Sequence, residues 1–146
     1  MNPQIYPTYE YTLYFDGCSK GNPGLAGAGA ALYHFNEEVW SDSMFVGTHS
    51  TNNQAEYMGL IMGLIYAEKT GVRTIQVFGD SQLVINHMKG VYQCRADGLV
   101  QLYFQAKELE RTFDKIEYVH VLRQYNKRAD HLSNIAVDMF VKNRKP

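Results

Sequence analysis

Apolar and polar positions alternate with a period of two over Tyr9–Asp16, where Tyr9, Tyr11, Leu13 and Phe15 interleave with Glu10, Thr12 and Tyr14. That is the pattern of a half-buried strand. The run then breaks into Gly17, Gly21, Asn22, Pro23 and Gly24, residues that favour turns, so the strand is expected to stop at Asp16. A small, apolar run at Leu25–Phe35 and a third at Val39–Thr48, joined by the turn Asn36-Glu37-Glu38, complete an expected antiparallel meander. Glycine is a poor strand former, so those inside the second run mark a bulge or a close backbone approach, expected against the Gly-rich turn.

From His49 onward the period lengthens. Tyr57, Leu60, Ile61, Leu64, Ile65 and Glu68 recur at helical spacing until Gly71, with Asn53 as the expected N-cap. Glu56 then falls in the capping-box position, which gives it a structural reading beside any chemical one. Arg73–Gly79 reads as a short strand ending at Asp80, and Ser81–Lys89 as a short helix capped by Ser81. After a loop at Gly90–Gly98, Leu99–Phe113 is an amphipathic helix with Leu99, Leu102, Tyr103, Ala106, Leu109 and Phe113 as its buried stripe. Lys115–Leu122 alternates as a fifth strand. The polar loop RQYNKR, with Asn126 as a cap, leads into a last helix at Ala129–Val141, whose expected apolar face is Ala129, Leu132, Ile135, Ala136, Met139 and Phe140. The order β-β-β-α-β-α-α-β-α contains no internal repeat, and its second half alternates as an α/β fold does.

Composition narrows the function classes. A chain of 146 residues with 45% hydrophobic content can build one domain of ordinary size. No apolar run approaches the ~18 residues of a membrane span, and the N-terminus lacks the basic and apolar segments of a signal peptide. A cytoplasmic protein without a membrane partner is expected. Cys18 and Cys94 have no zinc-like spacing and read as free thiols, with a disulfide between them as the alternative. A net charge of −1 argues against a protein that holds nucleic acid by a large positive field, so local contacts must do most of the work on any such substrate.

Four acids each have a local explanation: Asp16 in a turn, Glu56 in a capping box, Asp80 before a helix, Asp130 in a first helical turn where the dipole favours it. Together they point elsewhere. Asp16 and Asp80 both sit at expected carboxyl ends of strands, where open α/β sheets bind ligands. Carboxylates crowded at one point repel unless cations lie among them, and hard oxygen ligands suit Mg²⁺.

With YFDGCSKGNPG at 14–24, STNNQAE at 50–56, FGDSQ at 78–82 and NKRADHLSNIA at 126–136, the chain resembles the type 1 ribonuclease H (ribonuclease HI) family over nearly its whole length. The resemblance implies an α/β, ribonuclease H-like fold: a mixed five-stranded sheet, its first three strands antiparallel, with helices on both faces. It implies a domain at 9–141, flanked by an N-terminal extension at 1–8 and a basic tail at 142–146, which is expected to be disordered. It also implies cleavage of the RNA strand of RNA–DNA hybrids with two Mg²⁺ ions, or Mn²⁺ in their place, leaving 5′-phosphate and 3′-hydroxyl ends. Asp16 would bridge both ions, Asp130 would help hold one, and Glu56 and Asp80 the other. Gly17, Ser19, Asn22, Thr51, Asn52, Asn53, Ser81 and Gln82 would meet the substrate, because amides and hydroxyls can sense a 2′-hydroxyl as donor and acceptor.

The chain departs from the better-studied bacterial pattern in two places. Arg123 stands near the position of a histidine thought to assist product release. The Gly90–Gly98 loop, with Arg95 beside Asp97, offers no basic protrusion, so weak and salt-sensitive hybrid binding is expected. These features resemble the compact archaeal-type and some Gram-positive members, and a monomer is expected. The competing readings are a relative that also cuts double-stranded RNA and a catalytically weak binding or assembly protein on the same fold.

Overall fold

The computed structural model describes residues 9–144, and the expected N-terminal extension lies outside them. The expected order of elements is found: β1 (Tyr11–Lys20), β2 (Gly24–His34), β3 (Glu37–Ser50), α1 (Asn52–Lys69), β4 (Thr74–Gly79), α2 (Gln82–Met88), α3 (Asp97–Glu110), β5 (Lys115–His120) and α4 (Lys127–Arg144), with a 3-10 turn at Arg123–Tyr125. The strands form one mixed sheet in the order β3-β2-β1-β4-β5. Within it β1, β2 and β3 pair antiparallel, while β4 joins β1 and β5 in parallel.

Residues of β2 divide between the two faces of the sheet. Ala30 and Leu32 join Leu13, Phe15, Tyr57, Leu60 and Leu64 in the main core, beneath α1. Gly29 turns the other way, where an added Cβ would lie 2.6 Å from the Ala129 carbonyl oxygen of α4. The close approach expected of these glycines is therefore real, but its partner is α4 rather than the Gly-rich turn. The expected bulge is present as register shifts between β2 and β3. Burial of each large core side chain contributes roughly 1.5–3 kcal/mol, which fixes β1 between two helical layers.

Several expected boundaries move, among them the ends of α3, at Glu110 rather than Phe113, and of β5, at His120 rather than Leu122. β1 continues past Asp16 to Lys20 because Gly17–Lys20 stay in the ladder opposite Ala28–Leu25, so pairing overrides the weak strand propensity of glycine. α4 begins earlier and runs to Arg144, which makes Lys142, Asn143 and Arg144 of the expected tail helical. Its buried stripe is Ala129, Leu132, Ser133, Ala136 and Val137, so the expected face is rotated and Met139 is 51% exposed. In α1 the predicted Ile65 is exposed, while Gly59, Gly63 and Ala67 are buried, because α1 packs against both the sheet and α3. Cys18 and Cys94 are both free thiols. No helix among the described residues is long and apolar enough to cross a membrane.

Candidate active site

The parallel register of β1 and β4 sets Phe15 opposite Gly79. The next residue on each strand is an acid, so Asp16 and Asp80 emerge side by side, Asp16 from within β1 rather than from its end. Gly17 then admits α1, because a Cβ there would collide with the backbone of Ala55 and Glu56. Glu56 comes in over this gap. One carboxylate oxygen from each of Asp16, Glu56 and Asp80 lies within 4.8 Å of the other two. Asp130, in the first turn of α4, borders the same cleft of about 310 Å³, together with Gly17, Cys18, Asn52, Asn53, Ser81 and Arg123.

Gly17→Ala is expected to destabilise the protein by about 1–3 kcal/mol, the cost of overpacking at a site closed by backbone. Urea denaturation measures it. Unchanged stability would mean that α1 can shift without loss.

Glu56 has no part in starting its helix. Thr51, not Asn53, is the N-cap: its hydroxyl accepts from Gln54 N at 3.1 Å, and Gln54 Oε1 accepts from Thr51 N at 2.9 Å. This completes the capping box two residues before Glu56. Glu56 is instead 6% exposed, and its Oε1 has no hydrogen-bond partner among the described residues.

Burial holds the Glu56 carboxyl well above the usual carboxylate range, helped by its hydrogen bond with Asp16 and by the charges of Asp16 and Asp80. Asp16 is pushed up to about 7, first by burial and then by the charges of Asp80 and Asp130, against hydrogen bonds from Glu56 and the Gly17 N–H. The Gly17 N–H donates to Asp16 Oδ1 at 2.9 Å. Without a cation, then, this pair holds on to a proton near neutral pH. Two features fit a hard divalent cation: a set of carboxylate oxygens and a buried acceptor with nothing donating to it.

The other two acids are braced from outside the cluster. Asn126 is 1% exposed, and its Nδ2 donates to Phe15 O at 2.9 Å and to Asp80 Oδ1 at 3.4 Å. Its main-chain carbonyl starts α4 by accepting from Asp130 N at 3.1 Å, but its side chain reaches the sheet instead of capping. Asp130 Oδ1 accepts from Asn134 Nδ2 at 3.3 Å, and Arg123 Nη2 lies 3.7 Å from Asp130 Oδ2. Reasoning from sequence misses Asn134, although its position one helical turn after Asp130 is a usable signal.

The remaining expected residues divide. Asn52 Oδ1 accepts from Ser19 N at 2.7 Å, Asn52 N donates to Asn22 Oδ1 at 2.9 Å, and Ser19 Oγ donates to Ser50 O at 2.6 Å. Ser19, Asn22 and Asn52 are thus one connected rim. Asn53 and Ser81 line the cleft, Ser81 also capping α2 through Val84 N at 3.2 Å. Thr51 is engaged in its capping box, and Gln82 is exposed just beyond the cleft wall.

Comparison with known proteins agrees with this geometry. A family model described as reverse transcriptase-like matches residues 14–136. A bifunctional protein of Mycobacterium tuberculosis is 42% identical over 124 residues, which are 84% of this chain and 34% of that protein. This chain therefore spans about a third of that relative's length. Ribonuclease HI of Halobacterium salinarum is 39% identical over 125 residues, covering 86% of this chain and 63% of that protein. The solved ribonuclease H1 of the same archaeon superposes with a TM-score of 0.84 at 38% identity, covering 88% of this chain and 98% of that one. LC11 ribonuclease H1, solved in complex with an RNA/DNA hybrid, gives a TM-score of 0.84 at 29% identity over 90% of this chain and 99% of that one. The matched span runs from Tyr14 to Ala136 and so takes in all four acids, and the chain belongs to the type 1 ribonuclease H family.

Proposed function

We propose that this protein is an endoribonuclease that hydrolyses the RNA strand of RNA–DNA hybrids, with Asp16, Glu56, Asp80 and Asp130 as its catalytic and cation-holding residues. The observation that carries the reading is the trio Asp16, Glu56 and Asp80, the first two buried and the third half-buried, each with a carboxylate oxygen within 4.8 Å of the others', and with Glu56 Oε1 left without a donor among the described residues. Two Mg²⁺ ions, or Mn²⁺ in their place, would lower the pKa of an attacking water and offset the charge that gathers on the scissile phosphate.

The chain's own residues determine where that chemistry happens. Asp16 feels the charges of both Asp80 and Asp130, whereas Glu56 feels Asp16 and Asp80, which supports Asp16 as the residue that would help to hold both cations. Asn126 fixes one oxygen of Asp80 and Asn134 one oxygen of Asp130, whose other oxygen faces Arg123 at 3.7 Å. Attack on phosphorus in line with the 3′-oxygen leaves a 5′-phosphate and a 3′-hydroxyl. Asn52, Asn53 and Ser81 line the cleft with groups able to donate to and accept from a 2′-hydroxyl, which supports RNA as the strand cut. The hybrid held by the LC11 relative supports the same substrate class.

The test is cleavage of an end-labelled RNA–DNA hybrid with Mg²⁺, Mn²⁺ or chelator, beside single-stranded RNA, duplex DNA and duplex RNA. Metal-dependent cutting confined to the RNA of the hybrid is expected. Cutting of duplex RNA as well would widen the substrate class, and no cutting by folded protein would leave a binding role.

Arg123 is 79% exposed at the cleft mouth, in reach of Asp130, where it can contact a departing 5′-phosphate. Arg123→Ala is expected to lower multiple-turnover cleavage several-fold while single-turnover cleavage stays within about twofold, an effect worth less than ~1.4 kcal/mol. Equal losses in both would assign Arg123 to binding or chemistry.

A further inference from the structure

Asp130 is flanked by two unlike groups. Arg123 stands at 3.7 Å from Oδ2 on a long, exposed side chain. Asn134 lies one turn further along α4, and its Nδ2 donates to the Asp130 main-chain carbonyl at 2.9 Å as well as to Oδ1 at 3.3 Å.

A side-chain amide can present either end, and here the choice is made from β1. Lys20 Nζ donates to Asn134 Oδ1 at 2.7 Å, and Cys18 Sγ points at the same oxygen from 3.9 Å. Flipping the amide would set its NH₂ against the ammonium and its oxygen against the Asp130 carboxylate. Hydrogen bonds on both sides would be lost, and like polarities would face each other in their place.

We infer that Asn134, its amide orientation fixed by Lys20, is a positioning residue for Asp130 and thereby sets how tightly the acid cluster holds its second cation. The inference rests on the reading of Asp130 as a cation-holding residue. Asp130 stands outside the tight trio, so a cation that it helps to hold would be the weaker of the two and the more sensitive to how its carboxylate is aimed. Lys20 is exposed, and its field reaches Asp130 screened by solvent, so its influence runs through the amide.

The test is Mn²⁺ binding to the protein alone, followed by electron paramagnetic resonance, which needs no cleavage. Wild type is expected to bind two Mn²⁺ with separable affinities. Asn134→Ala should weaken the weaker site by about 10–100-fold, as loss of a ligand's orienting partner does, and leave the stronger site within about twofold. Lys20→Met should weaken the same site by a smaller factor, and should add nothing in the Asn134→Ala background, because its effect passes through the missing amide. Ala is a good helix former, and melting curves in chelator confirm that the variants fold. Unchanged affinity of the weaker site in Asn134→Ala overturns the inference. So does a Lys20→Met effect that persists undiminished without Asn134, since Lys20 would then act directly. A folded wild-type protein that binds no Mn²⁺ would overturn the cation-holding reading of the cluster itself, a result distinct from either.

Discussion

Asp16→Asn is expected to slow hybrid cleavage by at least about a thousandfold, or ~4 kcal/mol of barrier, while hybrid affinity in chelator stays within about threefold. Asparagine keeps the shape of aspartate and can still accept the Gly17 N–H, so β1 and the approach of α1 are undisturbed. What it removes is the charge at the centre of the cluster, on the residue that feels both Asp80 and Asp130. Asp80→Asn should behave alike for the same reason. Single-turnover cleavage and fluorescence-anisotropy binding separate the two quantities, and either variant cutting at the normal rate would end the two-ion assignment.

The same substitution should stabilise the metal-free protein, and the gain should grow with pH. A carboxyl whose folded pKa is raised contributes a stability that is fully present below the unfolded pKa of about 4 and is lost as pH rises toward the folded value. For Asp16 that value is about 7, so the loss falls between roughly pH 4 and pH 7. Glu56, also raised, adds a loss of the same sign. Asp16→Asn carries no such charge, so its melting temperature should match wild type near pH 4 and exceed it at pH 7.5. The expected difference is on the order of 2–4 kcal/mol, since a tenfold change in proton affinity between the folded and unfolded states is worth about 1.4 kcal/mol. Millimolar Mg²⁺ should close the gap by stabilising wild type alone. A gap that is constant across this pH range would mean that Asp16 is not the group strained by burial.

Most of the architecture was legible because the chain changes its hydrophobic period cleanly, from two in β1 to helical in α1 and back again in β4. Asp16 and Asp80 could be paired from the sequence, because two strands each carried an acid near one end. What the pattern could not give was pairing energy. Glycine after Asp16 reads as a stop, yet β2 supplies ladder partners as far as Leu25, and β1 continues. The cap of α1 was ambiguous for a related reason: Thr51, Asn52 and Asn53 are all good capping residues, and Gln54 decides among them by reaching back to Thr51. Asn126 and Asn134 were hidden more deeply. An asparagine before a helix reads as a cap, and one on a helix surface as solvated; only the tertiary fold shows that the first is buried against Phe15 and the second is bonded to Lys20.

The bond from Asn126 to the Phe15 carbonyl spans 111 residues of sequence, so it forms only when nearly the entire domain has been made and docked. The acid cluster has the same property, being drawn from β1, α1, the end of β4 and α4. A chain that stops short of Asn126 has three of the four carboxylates and no brace on Asp80. The four carboxylates of this domain therefore come together only when α4 docks, whatever the order in which the other elements form.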